Sequence, residues 1–195
     1  MEPEKTDEAF APVFDRFSVR SYSDRPIPEN VKNTILRAAA AGPSAGNKRP
    51  WSFLVVDDRA LLCRMADAKG PTGAALRTAQ FGVLACGDTT RPKENAKDMW
   101  VIDTAIALQN MTLTAWTFGI GSLWIGVWPN MDIVGRLHEL FHLPEEIVPH
   151  SMMAFGYPAE GAKRGKINPY WDADRYHKND WLTPYTLRKV SGSNT

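Results

Sequence analysis

The chain has 195 residues, 44% hydrophobic and 23% charged, with a formal net charge of +1. This is one ordinary globular domain, with no global charge to draw it to nucleic acid or an anionic membrane. No apolar run reaches bilayer-spanning length and the acidic, polar residues 1–8 do not form a signal peptide, so a cytoplasmic protein is expected.

Residues 1–9 read as a flexible N-terminus. From Phe10 to Phe17, the residues Phe10, Val13, Phe14 and Phe17 fall on one side of a short helix. It runs into Arg16-Phe17-Ser18-Val19-Arg20. Arginine suits bidentate bonding to phosphate and serine adds a short hydroxyl, although a solvated basic turn explains this stretch as simply when it is taken alone. Pro28 opens a second helix carrying Val31, Ile35, Leu36, Ala38 and Ala39, which stops at Gly42-Pro43. The stretch Gly42-Pro43-Ser44-Ala45-Gly46-Asn47-Lys48-Arg49-Pro50-Trp51 then combines two glycines with two prolines. Its irregular backbone leaves amide groups free for a ligand, or it is a plain helix-to-strand turn.

Trp51 to Val56 is near-continuously apolar and reads as a buried strand, and Arg59 to Ala68 as a helix. Gly70 to Gly73 is a turn, Phe81 to Cys86 a second buried strand, and Gly87 to Lys97 a polar loop that is either a lid near a site or plain surface. Asp98 to Phe118 is the most apolar helix. Met99, Ile102, Ile106, Gln109, Leu113 and Trp116 form one stripe, and Val101, Ala105, Leu108, Thr112 and Ala115 its neighbour. A helix apolar around so much of its circumference is either the central core helix or a subunit interface. Ser122 to Trp128 and Ser151 to Phe155 are extended, and Met131 to Leu143 between them is an amphipathic helix. Lys163, Arg164 and Lys166 form a late basic cluster. The tail from Trp171 reads as an arm packing on something, with residues 191–195 disordered.

Two motifs compete for a function. His138-Glu139-Leu140-Phe141-His142 has the spacing of a zinc hydrolase. However, Ile133, Val134, Leu137, Leu140 and Phe141 define the helix's apolar face, and both histidines lie roughly 100–140° from its centre, towards solvent. Gly119-Ile120-Gly121 follows a helix and precedes a strand, the reverse of a dinucleotide fingerprint. Cys63 and Cys86 lack metal-type spacing and read as free thiols.

Four ordered stretches together resemble the FMN-dependent nitroreductases. They are Arg16-Phe17-Ser18-Val19-Arg20, Gly42 to Trp51, Gly119-Ile120-Gly121-Ser122-Leu123-Trp124-Ile125-Gly126, and Gly156-Tyr157-Pro158-Ala159-Glu160 followed by Arg164-Gly165-Lys166. The resemblance covers roughly residues 10 to 185. It implies an α+β fold in which helices surround a central, mainly antiparallel mixed sheet. It also implies an intertwined homodimer with FMN at each of two interface sites. Residues 10–170 would form the FMN-binding domain, and 171–195 an arm reaching over the partner subunit. The implied cofactor contacts are Arg16, Phe17, Ser18 and Arg20, with Arg164 and Lys166 as a second phosphate pair. Pro43, Ser44 and Asn47 would meet the flavin from the other subunit, and Trp124, Ile125 and Gly126 would lie along its ring system, where a backbone N–H reaches N5.

The implied activity is ping-pong transfer of two electrons from NADH or NADPH, through flavin N5, to a nitroaromatic, quinone or similar small acceptor. No catalytic side chain, metal, nucleic acid or membrane is part of this reading. A flavin-binding protein without turnover and a specialised, dehalogenase-like flavoenzyme of the same fold are its alternatives. Arg49 departs from the family's usual glutamine, and Lys166 from arginine.

Overall fold

The computed structural model describes residues 8–91, 93–162 and 175–185. Residues 1–7, Arg164, Lys166 and the ends of the expected arm lie outside these. The chain divides into two compact units, residues 1–164 and 165–195.

The first unit is a three-layer α+β structure. Four strands, β1 (Trp51–Val56), β2 (Phe81–Asp88), β3 (Gly121–Gly126) and β4 (Ile147–Gly156), form one sheet in the order β1-β2-β4-β3. Every neighbouring pair is antiparallel. Among the described residues one parallel bridge, from Ser18 to Ser122, joins this sheet, which is mainly antiparallel, as expected. The near-continuous apolar runs of β2 and β4 follow from cover on both faces. Leu84, Cys86, Met152 and Ala154 point into one core, and Phe81, Val83, Ala85, Met153 and Phe155 into the other.

The helices divide between these cores. Helices α3 (Arg59–Lys69) and α5 (Met131–Phe141) close the first with Leu62, Met65, Ile133, Val134 and Leu137. Helices α2 (Glu29–Ala39) and α4 (Met99–Thr117) close the second with Ile35, Ala39, Ala107, Leu108 and Met111. Helix α3 begins at the Asp58 cap, whose carboxylate accepts the Leu61 N–H at 2.8 Å. Asn130 caps α5 in the same way, accepting the Ile133 N–H at 3.3 Å. Among the described residues no helix is long and apolar enough to cross a membrane.

Three local expectations are corrected. The first helix, α1 (Ala11–Phe14), ends three residues early, where the Asp15 N–H bonds to the Ala11 carbonyl. Its apolar side is uncovered, with Phe10 54% and Val13 53% exposed. The expected turn after α3 is instead a 3₁₀ segment, Pro71–Arg77. The expected loop from Gly87 starts later, because Gly87 and Asp88 still pair with β4.

The second unit, described over 175–185, is a short hairpin-like turn. His177 bridges to Pro184, the Tyr185 N–H donates to the Tyr176 carbonyl at 2.7 Å, and Trp181 stacks on His177.

Candidate functional site

Residues 16–22 leave α1 as an extended strap across the ends of β3 and β4. Two glycines make room for it. A Cβ on Gly121 would lie 2.4 Å from Val19 Cγ2, and one on Gly156 would lie 2.7 Å from the Tyr22 ring. Any other residue at either point would push the strap off the sheet. The strap is then fixed by hydrogen bonds. The Val19 N–H donates to the Ser122 carbonyl at 3.0 Å, and the Tyr22 hydroxyl is shared between the carbonyls of Val19 (2.8 Å) and Ala154 (3.0 Å). Burial pushes the Tyr22 phenol above its ordinary range, so it remains a donor.

With Val19 and Tyr22 turned inward, the polar residues face the other way. Ser18 is half-buried and Arg20 exposed, with an Arg20 terminal N–H on the Ser18 carbonyl at 3.2 Å. Phe17 packs edge-on against Trp116 of α4 at 5.3 Å. Arg16 Nε is buried and has no hydrogen-bond partner. A buried, unpaired guanidinium N–H is costly, and an anionic acceptor is what would satisfy it.

The loop from Gly42 to Pro50 is held against α4. The Ala45 N–H donates to both oxygens of the Asp103 carboxylate, at 3.1 and 3.2 Å, and Asp103 is itself buried. Pro43 and Asn47 are exposed and Ser44 is half-buried. The Asn47 N–H closes back onto the Ser44 carbonyl at 2.9 Å. Asp103 was missed from sequence, although a carboxylate in so apolar a helix is a signal that could have been read.

Between β3 and α4 lies a groove of about 560 Å³, walled by Ile102, Ile106, Gln109, Trp124, Trp128 and His150 among others. Trp124, 37% exposed, faces it and is oriented by its indole N–H on Ser151 Oγ at 2.9 Å. Gly126 is exposed, and a Cβ there would meet nothing within 4 Å, so the backbone is open. The Ile125 side chain, 3% exposed, turns to the opposite core, so Ile125 can offer the groove only its backbone.

His150 reaches the groove through an irregularity. Ala85 pairs with Ser151 and Cys86 with Pro149, so His150 is the extra residue of a bulge in β4. Its carbonyl accepts both the Val127 and Trp128 N–H groups, at 3.1 and 3.0 Å. Its ring lies between Trp100 and Trp124, at 6.0 and 6.2 Å. Burial lowers the imidazole below its usual value, only partly offset by a backbone hydrogen bond at Val101, and Nδ1 has no partner. Burial therefore favours the neutral form of this histidine. The signal available in the sequence is Pro149, which cannot donate to a ladder and in an interior strand marks a bulge.

The structure brings the strap and the Trp124–Gly126 segment together, since Ser18 bridges Ser122 on the same strand. It places the loop on α4, where Gly42 approaches the groove residue Ile106. The basic pair Arg164 and Lys166 lies outside the described residues. The zinc motif does not assemble: His138 is in the last turn of α5, and His142 has left the helix at φ 49°. Burial pushes the Cys86 thiol up to about 12, so it is no ready nucleophile.

Residues 13–72 and 64–157 match the nitroreductase family model. A Methanothermobacter thermautotrophicus protein called NADH dehydrogenase/NAD(P)H nitroreductase is 39% identical over 166 residues, spanning 85% of this chain and 84% of that protein. A crystal structure under the same name from Parabacteroides distasonis superposes with a TM-score of 0.80 at 30% identity, over 90% of this chain and 99% of the other. An FMN-dependent nitroreductase from Clostridium difficile gives a TM-score of 0.76 at 27% identity, over 85% and 95% of the two chains. The strap, loop and groove lie within the matched residues, and the chain belongs to the nitroreductase family.

Proposed function

We propose that the protein is an FMN-dependent oxidoreductase that passes electrons from NADH or NADPH to a small acceptor such as a nitroaromatic or a quinone. The observation that carries this reading is the buried Arg16 Nε without an acceptor, on a strap shared with Ser18 and Arg20 and bridged to Ser122, on the strand that also carries Trp124 and Gly126. These residues fit a flavin mononucleotide. Two guanidinium groups and a hydroxyl would hold the phosphate and the polar chain attached to it. Arg164 and Lys166 would be the second basic pair. The open backbone at Gly126 and the indole of Trp124 would lie along the planar rings. Pro43, Ser44 and Asn47, on the exposed loop, would close over the rings of a neighbouring subunit.

Bound there, FMN would supply the hydride chemistry between donor and acceptor, which would use the same space in turn, as a ping-pong scheme requires. The chain's own part is to bind, orient and exclude water. No side chain is assigned as an obligatory acid or base, and solvent would provide the protons. The functional unit in this reading is a homodimer, with the arm from Trp171 onward reaching over the partner. The uncovered apolar residues Phe10, Val13 and Ile102 support this, because a stable subunit rarely leaves such a surface to water.

Purified protein tests the reading directly. It should be yellow, bind FMN with one flavin per chain, and bleach anaerobically on addition of NADH or NADPH. Arg16→Ala should weaken FMN binding about 30-fold, the loss of roughly 2 kcal/mol expected for a charge-assisted contact. A protein that takes up no FMN would sink the proposal. A yellow protein that neither nicotinamide bleaches would be a flavin binder without this activity.

A further inference from the structure

The loop before β1 has a second chemistry that the flavin reading does not use. Gly46, Asn47 and Arg49 all adopt left-handed backbone, at φ 58°, 54° and 50°. Asparagine enters that region readily and arginine does not, so Arg49 persists there because contacts fix it. Those contacts involve Arg49. Its backbone N–H donates to Ser44 Oγ at 2.9 Å, and its side-chain Nε donates to Asn47 Oδ1 at 3.0 Å. The guanidinium is thus tied through one N–H, and among the described residues no acceptor takes its four terminal N–H donors.

Two more cations meet at this bend. A Cβ on Gly46 would lie 3.5 Å from Lys93 Cδ and 3.9 Å from Lys48 Cγ, so the stems of both lysines flank it. Ion pairs among the described residues join Lys32 to Glu29 and Asp57, Arg77 to Asp67, and Arg91 to Asp88. Lys48, Arg49 and Lys93 enter none of these. Three exposed cationic side chains thus leave one bend, and an anion bound there would be attracted by all three. A planar guanidinium held at one edge suits two oxygens of a phosphate, and the flexible ammonium groups add charge without fixed direction.

We propose that Arg49, with Lys48 and Lys93, binds a phosphate monoester of the nicotinamide donor, the 2′-phosphate that NADPH has and NADH lacks, and so sets a preference for NADPH. This rests on the reading of the protein as an NAD(P)H-using flavoenzyme. The same phosphate chemistry occurs on FMN itself, and the test separates the two sources.

Calorimetric titration of the FMN-loaded protein with adenosine 2′,5′-bisphosphate and with AMP compares two ligands that differ by the 2′-phosphate. The bisphosphate should bind about tenfold tighter, and Arg49→Gln should remove most of that margin. In steady-state turnover, the ratio of kcat/KM for NADPH to that for NADH should fall about tenfold in Arg49→Gln and about threefold in Lys93→Gln. A general disturbance of the loop through Asn47 acts on both donors and cancels in the ratio. Equal binding of the two adenosine ligands by the wild type, or a donor ratio that Arg49→Gln leaves unmoved, overturns the proposal. So does a loss of FMN affinity at constant donor ratio, which would give the cations to the cofactor's own phosphate. Arg49-dependent binding of the bisphosphate by a protein that neither donor reduces would instead uphold the phosphate site and remove the oxidoreductase reading.

Discussion

Helices α5 and α4 cover opposite faces of the same sheet, and they do it differently. Helix α5 is two-sided: Ile133, Val134 and Leu137 are buried, while Asp132, Arg136 and Glu139 meet water. Helix α4 has no comparable polar side. It buries Ala107, Leu108, Met111 and Ala115, yet its outer stripe still carries Ile102 at 52% exposure and a half-buried Ile106, Leu113 and Trp116. One face is finished by the subunit's own folding. The other is left apolar on the outside, and the loop, the strap and the groove of the candidate site each meet this helix. The loop is pinned by Asp103, Phe17 rests on Trp116, and the groove runs along Ile102 and Ile106. The division separates residues whose burial stabilises the fold from an apolar surface that the fold itself leaves open.

That division can be broken by substitution. The largest effect on stability belongs to the finished face. Leu137→Ala, at a fully buried position of α5, should cost about 3 kcal/mol in urea unfolding while FMN affinity in the folded protein stays within twofold. A parallel collapse of FMN binding would show that the two faces are not separable. Asp103→Ala should come next, losing about 1–2 kcal/mol and weakening FMN binding severalfold as the loop loses its anchor. Asp103→Asn, which keeps an acceptor for the Ala45 N–H, should recover most of both. If stability drops but flavin affinity does not, the loop is no part of the binding site. The smallest stability effect is expected for Ile102→Asn, within about 0.5 kcal/mol for the subunit's own fold. Its signature should be a shift towards monomer in size-exclusion chromatography, and an unchanged elution volume would mean that the outer stripe is not the subunit interface.

Legibility in the sequence follows the same line. Strand β2 was readable because burial on both sides leaves an apolar run from Phe81 to Cys86, and helix α4 because its apolar residues recur at helical spacing from Met99 to Trp116. Strand β1 was bounded to the residue by Pro50 before Trp51 and by Asp57-Asp58 after Val56. The end of α1 was not readable. Periodicity continues to Phe17, but the notches at Gly121 and Gly156, more than a hundred residues away, draw the chain into an extended strap. The inward turn of Ile125 follows from strand alternation, which a motif match ignores. The His150 bulge depends on pairing with β2 on one side and on two N–H groups beyond β3 on the other. Its one local trace is Pro149, which cannot donate to the ladder of an interior strand.

The clamp on the strap has a thermodynamic corollary. Val19 in its notch and the Tyr22 hydroxyl on two carbonyls give residues 16–22 their shape through contacts within the chain. Ordering backbone costs about 1–2 kcal/mol per residue at room temperature, and here that entropy is lost during folding, before any ligand arrives. An anion that docks on Arg16 meets a rigid receptor, so little of its interaction energy is consumed in arranging the protein and most of it remains as affinity.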